Sequence, residues 1–229
     1  MQKPRILIIE DDEMQAEIYE DAEVARRLPG LVDAAALIGG IQVQSRASLG
    51  GNLCNASPAA DASPALMALG SRLVIGSPTG SREIPVEEFF LGPGRNALQP
   101  GELLVQVKIP AQPANSSAHY LRFIPRNEMD IAVASAGVRI ALNGEGRIES
   151  ARVAIGAVAA TPLMVPVAAA ALNGNLPTEE TFGAAGDAAS ALATPIDDMR
   201  GSVAQRHQLV RVLTVRALRG ALTRIQEAR

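Results

Sequence analysis

The sequence is poor in aromatic residues and in cysteine. Tryptophan is absent, aromatic residues make up 3% of the 229 residues, and Cys54 is the single cysteine. One cysteine cannot form an internal disulfide bond, nor can it supply the thiolates of an iron–sulfur cluster. The two histidines, His119 and His207, are far apart and do not have the spacing of a metal site. Metal binding and extensive aromatic stacking of a ligand are therefore not expected.

The chain also lacks a strong charge of either sign and a long apolar segment. A net charge of −3 gives no electrostatic reason to expect nucleic acid or an anionic membrane as a partner. No charged segment followed by a long apolar run is present, so neither a secretion signal nor a membrane-spanning helix is predicted. A hydrophobic content of 48% with 20% charged residues is ordinary for a globular protein. We expect a cytoplasmic protein.

The most informative segment is the glycine-rich run from Ser48 to Asp61, SLGGNLCNASPAAD. Two adjacent glycines allow the backbone to approach a ligand where a Cβ atom would clash. Short polar side chains follow on what we predict to be a loop, which can offer N–H groups to a pyrophosphate and oxygens to hydroxyl groups. Taken alone, Gly-Gly-Asn would serve equally well as a hairpin turn. The candidate ligand contacts of the segment are Gly50, Gly51, Asn52, Asn55, Ser57 and Asp61.

In its wider context this run resembles a segment of a known family. Ile41–Leu53, IQVQSRASLGGNL, is similar to the second flavin loop of the molybdenum hydroxylases, in the medium, FAD-binding subunit of aerobic carbon monoxide dehydrogenase and xanthine dehydrogenase relatives. Further segments resemble that subunit in the same order: Phe90–Gly94 with Pro100–Pro110, Tyr120–Arg126 with Met129–Ala132, and Ala154–Pro162. The resemblance extends from about Glu20 to the C-terminus.

The resemblance implies an oxidoreductase subunit that is active only within a complex. It would bind FAD and pass electrons from the 2Fe-2S clusters of an iron–sulfur small subunit to NAD, a quinone or oxygen, while a large subunit holds the molybdenum cofactor. It adds Ser48, Leu103 and Arg122 to the candidate FAD contacts. A cation at Arg122 would stabilise negative charge on the reduced isoalloxazine, although an exposed strand arginine is an equal alternative. No catalytic acid, base or nucleophile is expected in this chain.

The N-terminal residues 1–20 do not share this resemblance. Pro4–Glu13, PRILIIEDDE, instead resembles the opening strand and acidic pair of a response-regulator receiver domain, where carboxylates hold Mg²⁺. A receiver needs a further aspartate after a later strand, but the chain turns into flavin-subunit sequence by about Glu23. The alternative is one apolar strand that ends in an acidic turn. We predict a short receiver-like head that is not a functional domain.

The family's flavin domain normally begins with a subdomain that carries a first glycine-rich loop of the Ala-Gly-Gly-Thr type, and this sequence shows no such motif. The resemblance therefore implies a second flavin subdomain over residues 21–112 and the family's C-terminal domain over 117–229. With half of the cradle missing, FAD binding is expected to be weak or lost. Two alternatives remain: a flavin-free structural or interaction remnant of such a subunit, and a receiver-type regulatory protein.

The fold class that we predict is α+β, a partial FAD-binding domain followed by a three-stranded antiparallel sheet with helices. In the first part we expect a helical region over Ala22–Ile38 broken near Pro29, a helix Ala65–Leu69 with Ser63 as its N-cap and Gly70 as its stop, and a hairpin of 73–75 with 82–84. The alternation of Leu103, Val105, Val107 and Ile109 with more polar neighbours predicts a half-buried strand.

In the second part, the sequence predicts three strands, Tyr120–Ile124, Ile131–Leu142 and Ile148–Val158, with Asn143–Gly146 as the turn between the last two and Thr161-Pro162 as the end of the sheet. Helices are expected over 166–172, 178–192 and 202–228. The last helix carries five arginines that are typical either of a docking surface for a partner or of a solvated face: Arg206, Arg211, Arg216, Arg219 and Arg224.

Overall fold

The computed structural model describes residues 18, 20–44, 46–126 and 130–228. The predicted receiver-like head lies outside the described residues except for Ile18 and Glu20, and so does Met129 of the third resembling segment. Helices and strands are numbered below from the first one that has a given range. No helix in the described part of the chain has both the length and the apolar character needed to cross a membrane.

From residue 21 onward, the described part of the chain has five short helices before the first sheet: α1 (Ala22–Arg27), α2 (Pro29–Ala35), α3 (Ile41–Gln44), α4 (Leu49–Cys54) and α5 (Ala62–Leu69). The Asp21 carboxylate accepts the N–H groups of Glu23 and Val24 and so caps α1. The predicted break near Pro29 is confirmed, because α1 ends before Leu28 and Pro29 takes the first position of α2.

The predicted start of α5 is wrong. The helix begins at Ala62 with Asp61 in the N-cap position, and Asp61 makes no side-chain cap hydrogen bond. Ser63 lies inside the first turn, fully buried. Pro64 misled the prediction because proline is tolerated anywhere in the first turn, where the backbone N–H groups lack helical partners. The predicted stop at Gly70 is confirmed, with a φ of 72° that favours glycine.

A three-stranded antiparallel sheet follows, in the order β2-β1-β5, built from β1 (Arg72–Ser77), β2 (Gly80–Pro85) and β5 (Leu103–Lys108). A 3-10 turn (Val86–Glu88) and the small hairpin of β3 (Phe90–Gly92) with β4 (Arg95–Asn96) lie between β2 and β5. The predicted hairpin is the pair β1–β2 and is confirmed.

The predicted burial pattern of β5 is wrong in its first half. Leu103 and Val105 are 72% and 54% exposed, whereas Leu104 is buried with Val107 and Ile109. The pairing of β1 with β5 shifts register between Val74 and Ile75. Such a bulge exchanges the inner and outer faces of a strand, so the alternation read from sequence holds on only one side of it.

The second sheet has four antiparallel strands where three were predicted. They are β6 (Ser116–Phe123), β7 (Ala134–Leu142), β8 (Ile148–Gly156) and β9 (Leu163–Met164), in that order. The added strand β9 follows the Thr161-Pro162 turn that was expected to end the sheet. Two residues are too few to give an alternating hydrophobic pattern, which is why the sequence did not reveal them. The predicted turn at Asn143 is confirmed, since its side-chain oxygen accepts the N–H groups of Glu145 and Arg147.

The two faces of this sheet carry different side chains. One face is apolar and packs on α6 (Pro166–Leu172), α7 (Glu179–Leu192) and α8 (Val203–Glu227), through residues such as Val138, Ile140 and Val153. The opposite face has glycine at Gly137 and Gly156, and α5 crosses it so closely that a Cβ atom on Gly137 would lie 2.5 Å from the Pro64 carbonyl oxygen. The sheet therefore lies between the C-terminal helices and the helices of the first half of the chain.

Four of the five arginines of α8 make ion pairs within the chain. Arg211 and Arg219 pair with Asp187 and Glu179 of α7, so they join the two helices. Arg206 is 4% exposed and Arg224 is partly buried, and their partners are the carboxylates of Asp198 and Asp33. Arg206 and Arg224 are therefore not on a solvated face, whereas Arg211 and Arg219 stay partly exposed beside their partners on α7.

Candidate functional site

The glycine-rich segment is a helix in its first half, Leu49–Cys54, and irregular turns from Asn55 to Asp61. The predicted loop is therefore wrong for the glycines and Asn52 and holds for the later residues. Ser48 is the N-cap of α4, and its Oγ accepts the Gly51 N–H at 3.0 Å. Leu49 and Leu53, one turn apart, are buried in the core of the first half and fix the inner side of this short helix. A serine cap and two apolar residues at i and i+4 outweigh the low helix propensity of Gly50 and Gly51.

The outer side of α4 is open. Gly51 is exposed, and a Cβ atom there would meet only the Ser48 Oγ, at 3.1 Å. Asn55, one turn further on, is also exposed. Asn52 is half-buried between them, and its Oδ1 atom is buried without a hydrogen-bond partner in the described structure. Since buried acceptors are normally satisfied, this atom is a candidate contact for a donor of a ligand.

The segment after α4 is held at both ends by other parts of the chain. The Asn96 side-chain amide donates to the Cys54 carbonyl at 2.8 Å, and Gly94 N–H donates to the Ala56 carbonyl at 3.1 Å. On the other side, the N–H of Ala157, just beyond β8, donates to the Pro58 carbonyl at 2.7 Å. These bonds fix the turn that contains Ser57, whose Oγ accepts the N–H of Ala59 at 3.3 Å.

Asp61 lies at the end of this turn, in a buried group of hydrogen bonds with β6. The Tyr120 hydroxyl donates to Asp61 Oδ1 at 2.5 Å, and Arg122 Nη1 donates to Asp61 Oδ2 at 2.5 Å. Both side chains of the ion pair are 9% exposed. Burial raises the pKa of the Asp61 carboxyl, while the charge of Arg122 and the hydroxyl of Tyr120 oppose that rise. Sequence reasoning expected Asp61 to be free for a ligand, whereas both its oxygens are bonded within the chain.

Arg122 nevertheless keeps unused donor capacity. Its Nε atom is buried and has no hydrogen-bond partner among the described residues. A buried guanidinium with one carboxylate partner is costly unless its remaining donors are also satisfied. The pair is therefore a candidate contact for an acceptor group of a ligand as well as a link between two segments of the chain.

Leu103 begins β5, and β5 packs beside α4. The structure therefore places the predicted residues in three neighbouring groups. The first group lies on α4 and its two ends: Ser48, Gly50, Gly51, Asn52 and Asn55. The second is the turn after α4 with its ion pair to β6: Ser57, Asp61 and Arg122. The third is Leu103 at the start of the adjacent strand.

Sequence reasoning missed Tyr120 as part of this site. Tyr120 is 1% exposed, and burial together with the Asp61 carboxylate raises the pKa of its hydroxyl well above the usual range. A signal was present, because residues two apart on a strand lie on the same face, and Tyr120 therefore had to point to the same side as Arg122.

A separate surface depression of about 270 Å³ lies beyond the end of β6. It is lined by Pro125, Arg126, Asp130, Met199 and Arg200, and by none of the residues that the sequence predicted to bind a ligand. Hydrogen bonding to Arg126 lowers the pKa of the Asp130 carboxyl in its wall.

Two protein-family models match this chain, one in each half. A model described as the FAD binding domain in molybdopterin dehydrogenase matches residues 14–112. A model described as the CO dehydrogenase flavoprotein C-terminal domain matches residues 119–221. The first match includes the glycine-rich helix, and the second includes the strand that carries Tyr120 and Arg122.

Individual proteins agree with these matches. The carbon monoxide dehydrogenase medium chain of Hydrogenophaga pseudoflava is 31% identical over 201 residues, which are 88% of this chain and 69% of that protein. The xanthine dehydrogenase FAD-binding subunit of Escherichia coli O157:H7 is 35% identical over 149 residues, which are 64% of this chain and 50% of that subunit. This chain therefore matches half the length of the latter relative.

The fold is also that of solved structures. A chain of carbon monoxide dehydrogenase from Hydrogenophaga pseudoflava, in a form that lacks the Mo-pyranopterin moiety of the molybdenum cofactor, superposes with a TM-score of 0.91 at 30% identity. The superposition covers 98% of this chain and 77% of that chain. Quinoline 2-oxidoreductase from Pseudomonas putida 86 gives a TM-score of 0.87 at 29% identity.

Proposed function

We propose, from the premise that this chain belongs to the FAD-binding medium subunits of the molybdenum hydroxylase family, that it binds FAD and transfers electrons within a multi-subunit oxidoreductase. The observation that carries this proposal is the open outer side of α4. There, the exposed Gly51 and the unpartnered Asn52 Oδ1 lie in the segment that the FAD-binding family model matches.

The residues present fit part of a flavin site. The exposed backbone at Gly51 suits a ligand that must approach the chain closely, and Ser48 fixes the start of the helix that presents it. Asn52 Oδ1 and Arg122 Nε are buried and unsatisfied in the described structure, one an acceptor and the other a donor. FAD presents both donors and acceptors on its ring system and its phosphates and sugars, so both atoms have partners in the bound state.

We assign Ser48, Gly50, Gly51, Asn52 and Asn55 to one side of this site, and Ser57, Asp61 and Arg122 to the other, with Leu103 as an apolar contact. When bound, FAD supplies the capacity to accept and release electrons. The chain's part is to bind and orient it and to place a positive charge, Arg122, where it stabilises negative charge on the ring. Asp61 orients that guanidinium through the ion pair.

The partners that we propose are a large subunit with a molybdenum cofactor and a small subunit with 2Fe-2S clusters. Two relatives carry names that place them in such enzymes, carbon monoxide dehydrogenase and xanthine dehydrogenase. One cysteine cannot ligate a cluster, so the electron donor must be held by another chain. The acceptor in this proposal is NAD, a quinone or oxygen. Co-expression with such partners, followed by purification as one complex that contains FAD, is the expected result.

FAD binding is tested by titrating the purified chain and following the flavin fluorescence. Gly51→Val should abolish binding, because it adds side-chain bulk on the open side of α4, while the unfolding midpoint in urea should change little. The matched control is Gly183→Val in α7, where a Cβ atom would meet nothing within 4 Å and binding should be unchanged. Equal FAD affinity for wild type and Gly51→Val would contradict the assignment of α4.

The flavin-free alternative predicts a different result. If the wild-type chain leaves the fluorescence of FAD unchanged even at a large excess of protein, this chain does not bind FAD on its own. Recovery of stoichiometric FAD from the co-expressed complex would then assign binding to the assembled enzyme, whereas a complex without FAD would favour the structural remnant.

A further inference from the structure

We propose that Tyr120 is a positioning residue of the flavin site, whose buried hydroxyl holds the Asp61 carboxylate in the orientation that pairs with Arg122. This inference rests on the proposed binding of FAD beside Arg122 and adds a residue that contacts neither the glycine-rich helix nor Arg122 by a hydrogen bond. Tyr120 acts through Asp61, and Asp61 acts through the guanidinium.

The geometry around Asp61 supports a fixed carboxylate. Each of its two oxygens receives one donor, Oδ1 from the Tyr120 hydroxyl and Oδ2 from Arg122, both at 2.5 Å. A carboxylate held at both oxygens cannot rotate without breaking one of these bonds. If the hydroxyl is removed, Oδ1 becomes a buried acceptor without this partner, and the carboxylate is free to turn away from the guanidinium.

A second hydroxyl lies near Tyr120 in the sheet. Ser135, 1% exposed, is on the neighbouring strand opposite Arg122 and diagonal to Tyr120, and its side chain lowers the pKa of the Tyr120 hydroxyl. Ser135 in turn packs against Gly156 of β8, where a Cβ atom would come within 2.6 Å of its Oγ. Buried residues thus lie next to one another across three strands, from Gly156 on β8 through Ser135 on β7 to Tyr120 on β6.

The backbone of Tyr120 is held from the other side of the molecule. Its N–H donates to Asp33 Oδ2 at 3.1 Å. Arg224 of α8 donates two hydrogen bonds to the same carboxylate, at 2.7 and 2.8 Å. The main chain of Tyr120 is therefore fixed by groups outside the proposed flavin site. Phenylalanine would fill the same space, so packing alone does not account for a tyrosine at this buried position.

The test compares Tyr120→Phe with Thr214→Val, which removes another fully buried hydroxyl, one that donates to the Val210 carbonyl within α8. In FAD titrations of the full chain we expect Tyr120→Phe to weaken binding about tenfold, the size of one lost hydrogen bond to a charged group. Thr214→Val should leave the dissociation constant within about twofold of wild type.

A role through Asp61 also predicts a shift in the pH profile. The titratable groups that act on Asp61 are Tyr120 and Arg122, both on β6, and the hydroxyl of Tyr120 lowers the pKa of the Asp61 carboxyl. Asp61 must be ionised to pair with Arg122, so FAD affinity should fall on acidification. In Tyr120→Phe that fall should begin at higher pH, and Asp61→Asn should remove the pH dependence and make the tyrosine substitution nearly neutral.

The outcomes separate the two proposals. If wild type binds FAD and Tyr120→Phe has the same affinity and the same pH profile, the positioning role is wrong while the proposed function stands. If wild type does not bind FAD, alone or in the complex, the proposed function is wrong and this inference falls with it. Should Tyr120→Phe fail to fold, Ser135→Ala keeps the tyrosine and removes its support, with an expected loss of about two- to fivefold. Unchanged binding in that variant would overturn the inference.

Discussion

The two faces of the four-stranded sheet are built from opposite kinds of contact. The face toward α6, α7 and α8 packs mainly through an apolar core, to which the sheet contributes Ala136, Val138, Ile140, Val153 and Ile155. The face toward α5 has glycine or small residues where the helix crosses, and buried polar groups where it does not. Tyr120 and Arg139 are examples of these polar groups, and each is at most 8% exposed.

The difference separates stability from positioning. Apolar contacts are non-directional, so a change of volume on the α7–α8 side lowers stability without changing the direction of a hydrogen bond. Buried hydrogen bonds depend on direction as well as distance, so a small shift on the other face changes how polar groups are oriented. The proposed flavin residues Asp61 and Arg122 are on the second kind of face, and the C-terminal helices serve as its rigid support.

The largest expected effect is on the apolar face. Phe182 of α7 is 1% exposed, and Phe182→Ala should lower the free energy of unfolding by about 3–5 kcal/mol. Urea unfolding measures this, with Leu192→Ala as the control, because Leu192 is on the same helix but 41% exposed. FAD affinity of the folded fraction should stay near that of wild type. A loss of affinity without a loss of stability would contradict the division between the two faces.

We expect Gly137→Ala to lower stability less than Phe182→Ala does, and to weaken FAD binding more. The added Cβ atom would lie 2.5 Å from the Pro64 carbonyl oxygen, and backbone at that distance must move. We expect a destabilisation of about 1–3 kcal/mol, typical of overpacking, and weaker FAD binding because α5 carries Asp61 at its start. Gly144→Ala in the β7–β8 turn, where a Cβ atom meets nothing within 4 Å, is the control for both measurements.

The elements that could be predicted from the sequence are those with a local signal. The strands β7 and β8 have long apolar or alternating patterns and a glycine turn between them, and Gly70 ends α5 as expected. The bulge that exposes Leu103 and Val105 has no such signal, because it depends on the register with β1. The helical form of the glycine-rich segment was also missed, since buried leucines and a cap override propensity only once the core exists.

Most of the candidate site depends on contacts between distant residues. Asp61 pairs with residues about 60 positions later in the chain, and nothing near Asp61 in the sequence indicates that its carboxylate is occupied. The contact of Gly137 and Gly156 with Pro64 likewise joins residues that are far apart in the sequence, and no local pattern indicates it. The residues that contact a ligand can thus be proposed from motifs, while those that position them cannot.

The third prediction concerns an ion pair between α2 on one side of the sheet and α8 on the other. The Asp33 carboxylate of α2 accepts hydrogen bonds from both terminal nitrogens of Arg224, and the side chains of Asp33 and Arg224 are 19% and 29% exposed. Asp33→Asn should destabilise the chain by about 1–3 kcal/mol, because it leaves a partly buried guanidinium without its charge partner. Glu179→Gln, which breaks the exposed pair with Arg219, should have a smaller effect. Equal urea midpoints for the two variants would mean that Asp33 is not a link between the faces.

The smallest expected effect is a pH dependence at the edge of the sheet, where His119 of β6 packs against Gly220 of α8 and lies 3.9 Å from Asp33. Burial lowers the pKa of His119; Asp33 opposes this effect and Arg224 adds to it. The unfolded chain therefore binds a proton more readily than the folded one, so this contribution to stability is present above the usual histidine pKa and is lost as the pH falls through that range. Urea midpoints measured from pH 8 to pH 5 should fall less steeply in His119→Gln than in wild type. An unchanged slope in His119→Gln would show that this edge of the sheet carries no such titration.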